Sequence, residues 1–94
     1  MDENKVYKVY SDPGHGWTAV KFSDLIKLGI LQKISKFSYF KGSTAYLEED
    51  SDMTLFCNKF KAMYGHFPAL EFHNSDKTSP IRSYERYPYD CISD

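Results

Sequence analysis

The stretch YKVYSDPGHGWTAVK (residues 7–21) joins two alternating runs of strand-forming residues through a short turn. Aromatic and β-branched side chains favour extended backbone, and Pro13 ends the first run because proline cannot donate a ladder hydrogen bond. Gly14 and Gly16 can take the positive φ that a tight return needs. The stretch therefore predicts a β-hairpin that starts the sheet and exposes one loop at residues 12–17.

The rest of the chain alternates between helix and strand signals. Residues 24–28 follow a Ser N-cap and predict a short helix, and residues 37–48 predict a second hairpin whose Gly-Ser loop suits a type II′ turn. Apolar residues at spacings of three and four predict an amphipathic helix over 52–64, and residues 69–73 alternate as a fifth strand. The order β-β-α-β-β-α-β predicts an α+β fold, with a small antiparallel sheet of about five strands covered by one amphipathic helix.

Residues 74–94 are poor in aliphatic side chains and contain Pro80 and Pro88, which exclude long regular structure. We expect an extended C-terminal arm here, with a strand at 81–86 as one option. A chain of 94 residues fits one domain, so the arm should belong to a single domain spanning 1–94.

The composition favours binding to a partner through exposed aromatic rings, not through the net charge of the protein. The net charge is −1, so no global field draws the protein to nucleic acid or to an anionic membrane. Seven Phe, eight Tyr and one Trp are more rings than so small a core readily absorbs. Some of these rings should therefore lie at the surface, where a partner can contact them.

Cys57 and Cys91 show no CxxC or zinc-type spacing, and we interpret them as free thiols in a reducing compartment, with a disulfide between them as the alternative. The first residues lack the apolar core of a signal peptide, and no apolar run is long enough to span a bilayer. These features predict a soluble cytoplasmic protein.

The loop of the first hairpin holds Asp12, His15 and Trp17. A histidine beside a carboxylate is the minimal acid–base pair, but catalysis also needs a nucleophile or a metal and a pocket. The alternatives are that Asp12 serves the turn and His15 is a solvated tip, that the tip binds a partner, or that the pair is catalytic.

Glu48, Glu49, Asp50 and Asp52 place four carboxylates just before the second helix. They can complement the positive helix N-terminus, or they can form an acidic knob that docks on a basic partner. The run does not favour calcium, because it has no EF-hand-like loop with the required Gly and distal Glu.

The arm interleaves cations with rings, and its candidate binding residues are Arg82, Tyr84, Arg86 and Tyr87. Arginine and tyrosine are enriched both in protein hot spots and at single-stranded nucleic-acid sites. Simple packing on the sheet is the third alternative.

Six segments together resemble a group of small accessory proteins carried by bacteriophages and mobile elements. They are residues 10–17 (YSDPGHGW), 28–30 (LGI), 34–35 (IS), 38–39 (SY), 46–50 (YLEED) and 81–84 (IRSY). The resemblance spans most of the chain and its loop motif is fairly specific. It implies a short protein of the bacterial cytoplasm that occupies a host or phage macromolecule, and it carries over no assigned activity or site.

We therefore expect a non-enzymatic protein that binds and modulates a host macromolecular complex, such as a defence system, without a cofactor, a metal or a membrane partner. The alternative is single-stranded nucleic-acid binding through the basic and aromatic arm. A small hydrolase that uses Asp12 and His15 is a third hypothesis. The protein should act as a monomer or a homodimer in the cytoplasm of the bacterial host.

Overall fold

The computed structural model describes residues 3–88, which build a six-stranded sheet with one long helix on one face. The elements are β1 (Val6–Ser11), β2 (Gly16–Lys21), α1 (Phe22–Lys27), a 3₁₀ turn (Leu31–Lys33), β3 (Tyr39–Lys41), β4 (Thr44–Glu48), α2 (Asp52–Tyr64), β5 (Ala69–Asn74), a second 3₁₀ turn (Pro80–Ser83) and β6 (Glu85–Arg86). The α+β fold class is confirmed.

The strand order across the sheet is β5-β1-β2-β4-β3-β6. All neighbours are antiparallel except β1 and β5, which run parallel with Val6 opposite Ala69. The sheet is therefore mixed and has six strands, where the sequence predicted an antiparallel sheet of about five. The helix α2 accounts for the parallel pair, because a helical crossover lets β5 run in the same direction as β4 and β1 at the far edge. The sixth strand is β6, which the C-terminal arm adds beside β3.

Both predicted hairpins form, but only the second uses a glycine with positive φ. In the first, Gly14 and Gly16 do not have the predicted positive φ, and the Asp12 carboxylate closes the loop by accepting from the Gly14 and His15 N–H groups. In the second hairpin, Lys41 lies opposite Thr44, so Gly42 and Ser43 form a two-residue loop. Gly42 has a φ of 59°, and Ser43 has a negative φ, since only glycines have positive φ in the described chain. These angles fit the type II′ turn that the sequence predicted.

The core lies between the sheet and α2. Strand alternation directs Tyr7 and Val20 towards the helix. Phe56 and Phe60 of α2 pack against them in the same core cluster. The Tyr7 and Phe56 rings meet edge to face with centroids 5.0 Å apart. The predicted apolar stripe of α2 is correct at Phe56 and Phe60, whereas Met63 in the last turn is 51% exposed.

The arm returns to the sheet instead of extending away from it. Its 3₁₀ turn buries Ile81, and β6 adds a short strand beside β3. Tyr87, which the sequence placed among the binding residues, is a core residue because its ring packs in the main cluster and its hydroxyl donates to the Leu31 carbonyl. This burial raises the pKa of Tyr87 to about 12. Residues 89–94, which include Cys91, lie outside the described part of the arm.

Candidate functional site

The face of the sheet opposite α2, here called the open face, carries most of the remaining rings. Trp17 and Tyr39 meet edge to face with centroids 6.1 Å apart. Further contacts join Tyr46 to Tyr84 and stack Tyr10 on His73. Strand alternation accounts for this set, because each ring on a strand here is one position out of phase with a core residue.

A groove of about 240 Å³ lies on the open face beside the first hairpin loop; we call it the loop groove. Its lining residues are His15, Trp17, Phe37, Tyr39, Glu48, Arg82 and Arg86. Five of these were predicted as binding residues from three separate segments of the sequence. The fold thus brings the loop, the acidic turn and the arm together at one place.

Asp12 holds the hairpin loop and the arm together next to the groove. Its carboxylate accepts hydrogen bonds from the backbone N–H groups of Gly14 and His15, both at 3.0 Å. It also accepts from the backbone of Ser79 at 3.0 Å and from two guanidinium nitrogens of Arg82, Nε at 2.6 Å and Nη2 at 2.9 Å. The paired guanidinium and these N–H donors hold the pKa of Asp12 well below its usual range. Asp12 is therefore a clip between the loop and the arm, and its side chain is almost fully buried.

Glycine at position 14 is required by this clip. A Cβ atom there would lie 2.6 Å from Nη2 of Arg82, so any other residue would displace the guanidinium. The Asp-Pro-Gly sequence thus serves both the turn and the approach of the arm.

The two arginines of the arm lie over aromatic rings. The guanidinium carbon of Arg82 is 5.5 Å from the Trp17 ring centroid, and that of Arg86 is 4.6 Å from the Tyr39 ring centroid. Each such contact is worth about 0.5–1 kcal/mol at an exposed site. Because the rings also touch each other, both arginine side chains are held at defined positions in the groove.

Arg86 is the cation that remains available. Within residues 3–88 no carboxylate oxygen comes within ion-pair distance of its guanidinium, whereas Arg82 is bound to Asp12. Glu48 shares the groove, but one of its oxygens accepts the backbone N–H groups of Asp50 and Ser51 at 2.5 and 3.0 Å. Among residues 3–88, the groove therefore presents a positive charge without a carboxylate partner beside aromatic surface.

The acidic turn is mostly structural. Glu48 satisfies backbone donors ahead of α2, and Asp52 is buried, where it accepts from both Ser35 groups and from the Ser38 hydroxyl. Asp50 is exposed, and Glu49 is partly exposed with an oxygen 3.8 Å from Nδ1 of His15. Asp50 and Glu49 are exposed and Glu48 lines the loop groove, so these three carboxylates are accessible to a partner and Asp52 is not.

The structure does not place the Asp12 carboxylate against the His15 ring, as an acid–base pair would require. Asp12 contacts the backbone N–H of His15, while the imidazole faces Glu49. Both oxygens of Asp12 are already occupied by donors, so the carboxylate cannot orient the ring. In the part of the chain that the structure describes, no three His, Cys, Asp or Glu side chains meet in a group that could hold a metal ion.

A second pocket on the open face has a volume of about 370 Å³ and lies beside the second 3₁₀ turn (Pro80–Ser83). Tyr10, Tyr46 and Tyr84 supply its rings, with His73 and Ile81 beside them. Tyr84 therefore lies apart from the loop groove, against Tyr46. Burial raises the pKa of Tyr46 above its ordinary value.

Sequence reasoning did not select Phe37 and Tyr39 as groove residues. The signal was present, because the alternation of residues 37–40 put rings on both faces of the hairpin. What it could not supply was the neighbour across the sheet, since Tyr39 reaches Trp17 only through the pairing of β2, β4 and β3.

No protein-family model, curated protein or solved structure matched this chain. Within residues 3–88, no helix combines the length and the apolar character that crossing a bilayer requires.

Proposed function

We propose that this chain is a non-enzymatic binding protein that engages a protein partner through the loop groove. The observation that carries the proposal is that Tyr39 and Arg86 meet around one depression, where the buried Trp17 ring packs against Tyr39. Trp17, which the sequence placed among the binding residues, is a supporting residue here, while tyrosine and arginine are among the residues most enriched in binding hot spots.

Phe37 supplies the apolar contact at the rim of this groove. Its side chain is 60% exposed. Burying a phenylalanine fully is worth roughly 1.5–3 kcal/mol, so covering the exposed part should contribute about 1–2 kcal/mol to binding. The Ser35–Asp52 hydrogen bonds hold the backbone that carries Phe37, and this reduces the entropy lost on association.

The resemblance to phage and mobile-element accessory proteins supplies the biological setting of the proposal. The partner would be a host or phage protein complex in the bacterial cytoplasm, such as a defence complex, and binding would modulate it. An anionic group on that partner would meet Arg86, which has no carboxylate partner in the described chain.

The test is affinity capture from bacterial lysate with matched variants. We expect a stoichiometric protein partner whose affinity falls about tenfold in Phe37→Ala and in Arg86→Ala. Phe67→Ala and Lys59→Ala are the controls, because these exposed residues lie outside the groove and should bind as the wild type does. Absence of any stoichiometric partner, or equal capture by Phe37→Ala, would contradict the proposal.

A second candidate, single-stranded nucleic-acid binding, is favoured by the cations of the open face. Lys8 and Lys21 line one shallow depression there, Lys41 lies over the Tyr84 ring at 5.0 Å, and none of the three has an ion-pair partner among the described residues. Together with Arg86 they place four unpaired cations near stacked rings, the combination that single strands use.

Salt dependence separates the two candidates. If all four cations contact phosphates, the logarithm of the affinity for an oligonucleotide should fall with the logarithm of salt concentration at a slope of about −3. A Lys21→Gln variant should reduce that slope by about 0.7. Oligonucleotide binding that is absent at low salt would eliminate this candidate and leave the protein partner.

A further inference from the structure

The strand β5 (Ala69–Asn74) forms one edge of the sheet and leaves its outer side uncovered. Five of its six residues are exposed, and Leu70 alone is partly buried. Among residues 3–88, only β1 pairs with it. Phe72, in its middle, is 63% exposed on the helix side of the sheet. This edge thus combines open backbone groups with an exposed ring.

The two edges of the sheet differ in their protection. β6 has two residues and is followed closely by Pro88, and short strands and prolines both discourage pairing with another chain. β5 contains neither lysine nor proline, and its register with β1 is unbroken from Ala69 to Asn74. Apart from the charge of Glu71, it lacks the features by which proteins usually prevent contact at an edge.

We propose that β5 pairs antiparallel with β5 of a second copy of this chain, across a twofold axis normal to the sheet. Such a contact is isologous and closes after two copies. It makes one sheet continuous through both protomers, with both α2 helices on the same face. The loop groove of each copy stays uncovered, so the dimer does not depend on the proposed function.

The register of this contact follows from strand alternation. Residues opposed in an antiparallel pair point to the same face, so odd positions must oppose odd positions and even must oppose even. Two centred registers then align five residues of the strand. One opposes Glu71 to Glu71 of the second copy, and the other opposes Phe72 to Phe72.

Charge selects the second register. Opposing Glu71 to itself places like charges face to face, which destabilises a strand pair. The Phe72 register instead puts each Glu71 opposite His73 of the second copy, and it joins the two exposed rings at the axis. Within one chain Nε2 of His73 is already 2.5 Å from Oε1 of Glu71. The dimer would therefore bring two such pairs into one alternating cluster of carboxylates and imidazoles.

Sedimentation equilibrium of the full chain over a wide concentration range tests the proposal. We expect a species of twice the 11.0 kDa chain mass. Phe72→Lys should raise the dissociation constant of the dimer about tenfold or more, because two ammonium groups replace the ring pair. Phe37→Lys is the matched control, since that ring is equally exposed but lies in the loop groove. Circular dichroism confirms that both variants fold.

A charge exchange tests the register itself. His73→Glu should weaken the dimer by placing carboxylates opposite each other, and the double variant Glu71→His/His73→Glu should restore it. A chain that stays monomeric at every concentration, a dimer that Phe72→Lys leaves unchanged, or a double variant as weak as the single one would overturn the proposal. Loss of the dimer with unchanged partner capture would separate it from the proposed function.

Discussion

We expect Asp52→Ala to destabilise the protein strongly, although the sequence places this residue in an exposed acidic run. One oxygen of Asp52 accepts from the Ser35 backbone at 3.0 Å, from the Ser35 hydroxyl at 2.7 Å and from the Ser38 hydroxyl at 2.5 Å. Ser38 is completely buried, and its oxygen in turn accepts from the backbone of Glu48. The network thus ties the segment before β3 to the start of α2.

The expected cost follows from what the truncation leaves behind. A buried donor without an acceptor costs about 1–3 kcal/mol, and Ser38 would be such a donor because water does not reach it. The Ser35 groups are only half-buried and can recruit water, so they should add about 1 kcal/mol. The total loss in the free energy of unfolding is about 2–4 kcal/mol, a large part of the about 5–15 kcal/mol that a domain possesses. The corresponding fall in Tm is about 10–25 °C.

Urea unfolding followed by fluorescence provides the measurement, because Trp17 is the single tryptophan and is buried. Asp52→Asn keeps an acceptor oxygen and should cost less than Asp52→Ala. Asp50→Ala is the control, since it removes an exposed carboxylate two residues away. If Asp52→Ala unfolded at the same urea concentration as Asp50→Ala, the assignment of these hydrogen bonds as stabilising would be refuted.

Two further predictions concern single side chains. Because the paired Arg82 lowers the pKa of Asp12 in the folded state, Asp12 contributes stability above its ordinary pKa of about 3.9 and loses it as the pH falls. The Tm of Asp12→Asn should therefore approach that of the wild type in acid, and a constant difference at all pH values would contradict the linkage. The Thr18 hydroxyl is buried without a hydrogen-bond partner in the described chain. Thr18→Val should raise the free energy of unfolding by about 1 kcal/mol in the same urea assay, and a loss of stability would reveal a partner for that hydroxyl.

The sequence predicted what depends on neighbours along the chain. Both hairpins and α2 come from local alternation and helical spacing, and they appear where expected. Positive φ occurs at Gly42 of the second hairpin and at Gly65 after α2, but the prediction of positive φ for Gly14 and Gly16 in the first hairpin is wrong. The placement of β5 parallel to β1 could not be predicted in this way. It depends on where α2 delivers the chain, and Val6 and Ala69 are far apart in sequence.

The candidate site shows the same division. Of the alternatives for Asp12, the turn is confirmed by its bonds to Gly14 and His15, whereas its burial leaves it unavailable as a binding residue. Its further role depends on Arg82, which lies 70 positions further along the chain. Asp52 was assigned to the helix terminus, and its partners Ser35 and Ser38 lie in a loop 14–17 positions earlier. In both cases the carboxylate was visible in the sequence, and the donor that gives it a structural role was not.

The expectation that the core cannot hold every ring agrees with the exposure of the described rings. Of the fifteen described Phe, Tyr and Trp residues, five are buried, and Phe22, Phe40 and Tyr64 pack against the core. Four more make ring contacts on the open face, namely Tyr10, Tyr39, Tyr46 and Tyr84. Phe37, Phe67 and Phe72 are the described rings that stay mainly exposed. Phe37 borders the loop groove, whereas Phe72 lies on the helix side of the β5 edge, so they cannot serve one flat contact. If a partner covers Phe37 in the groove and a second copy covers Phe72 at the edge, the Phe37 and Phe72 variants should fail in different assays. Neither contact involves Phe67, the third exposed ring.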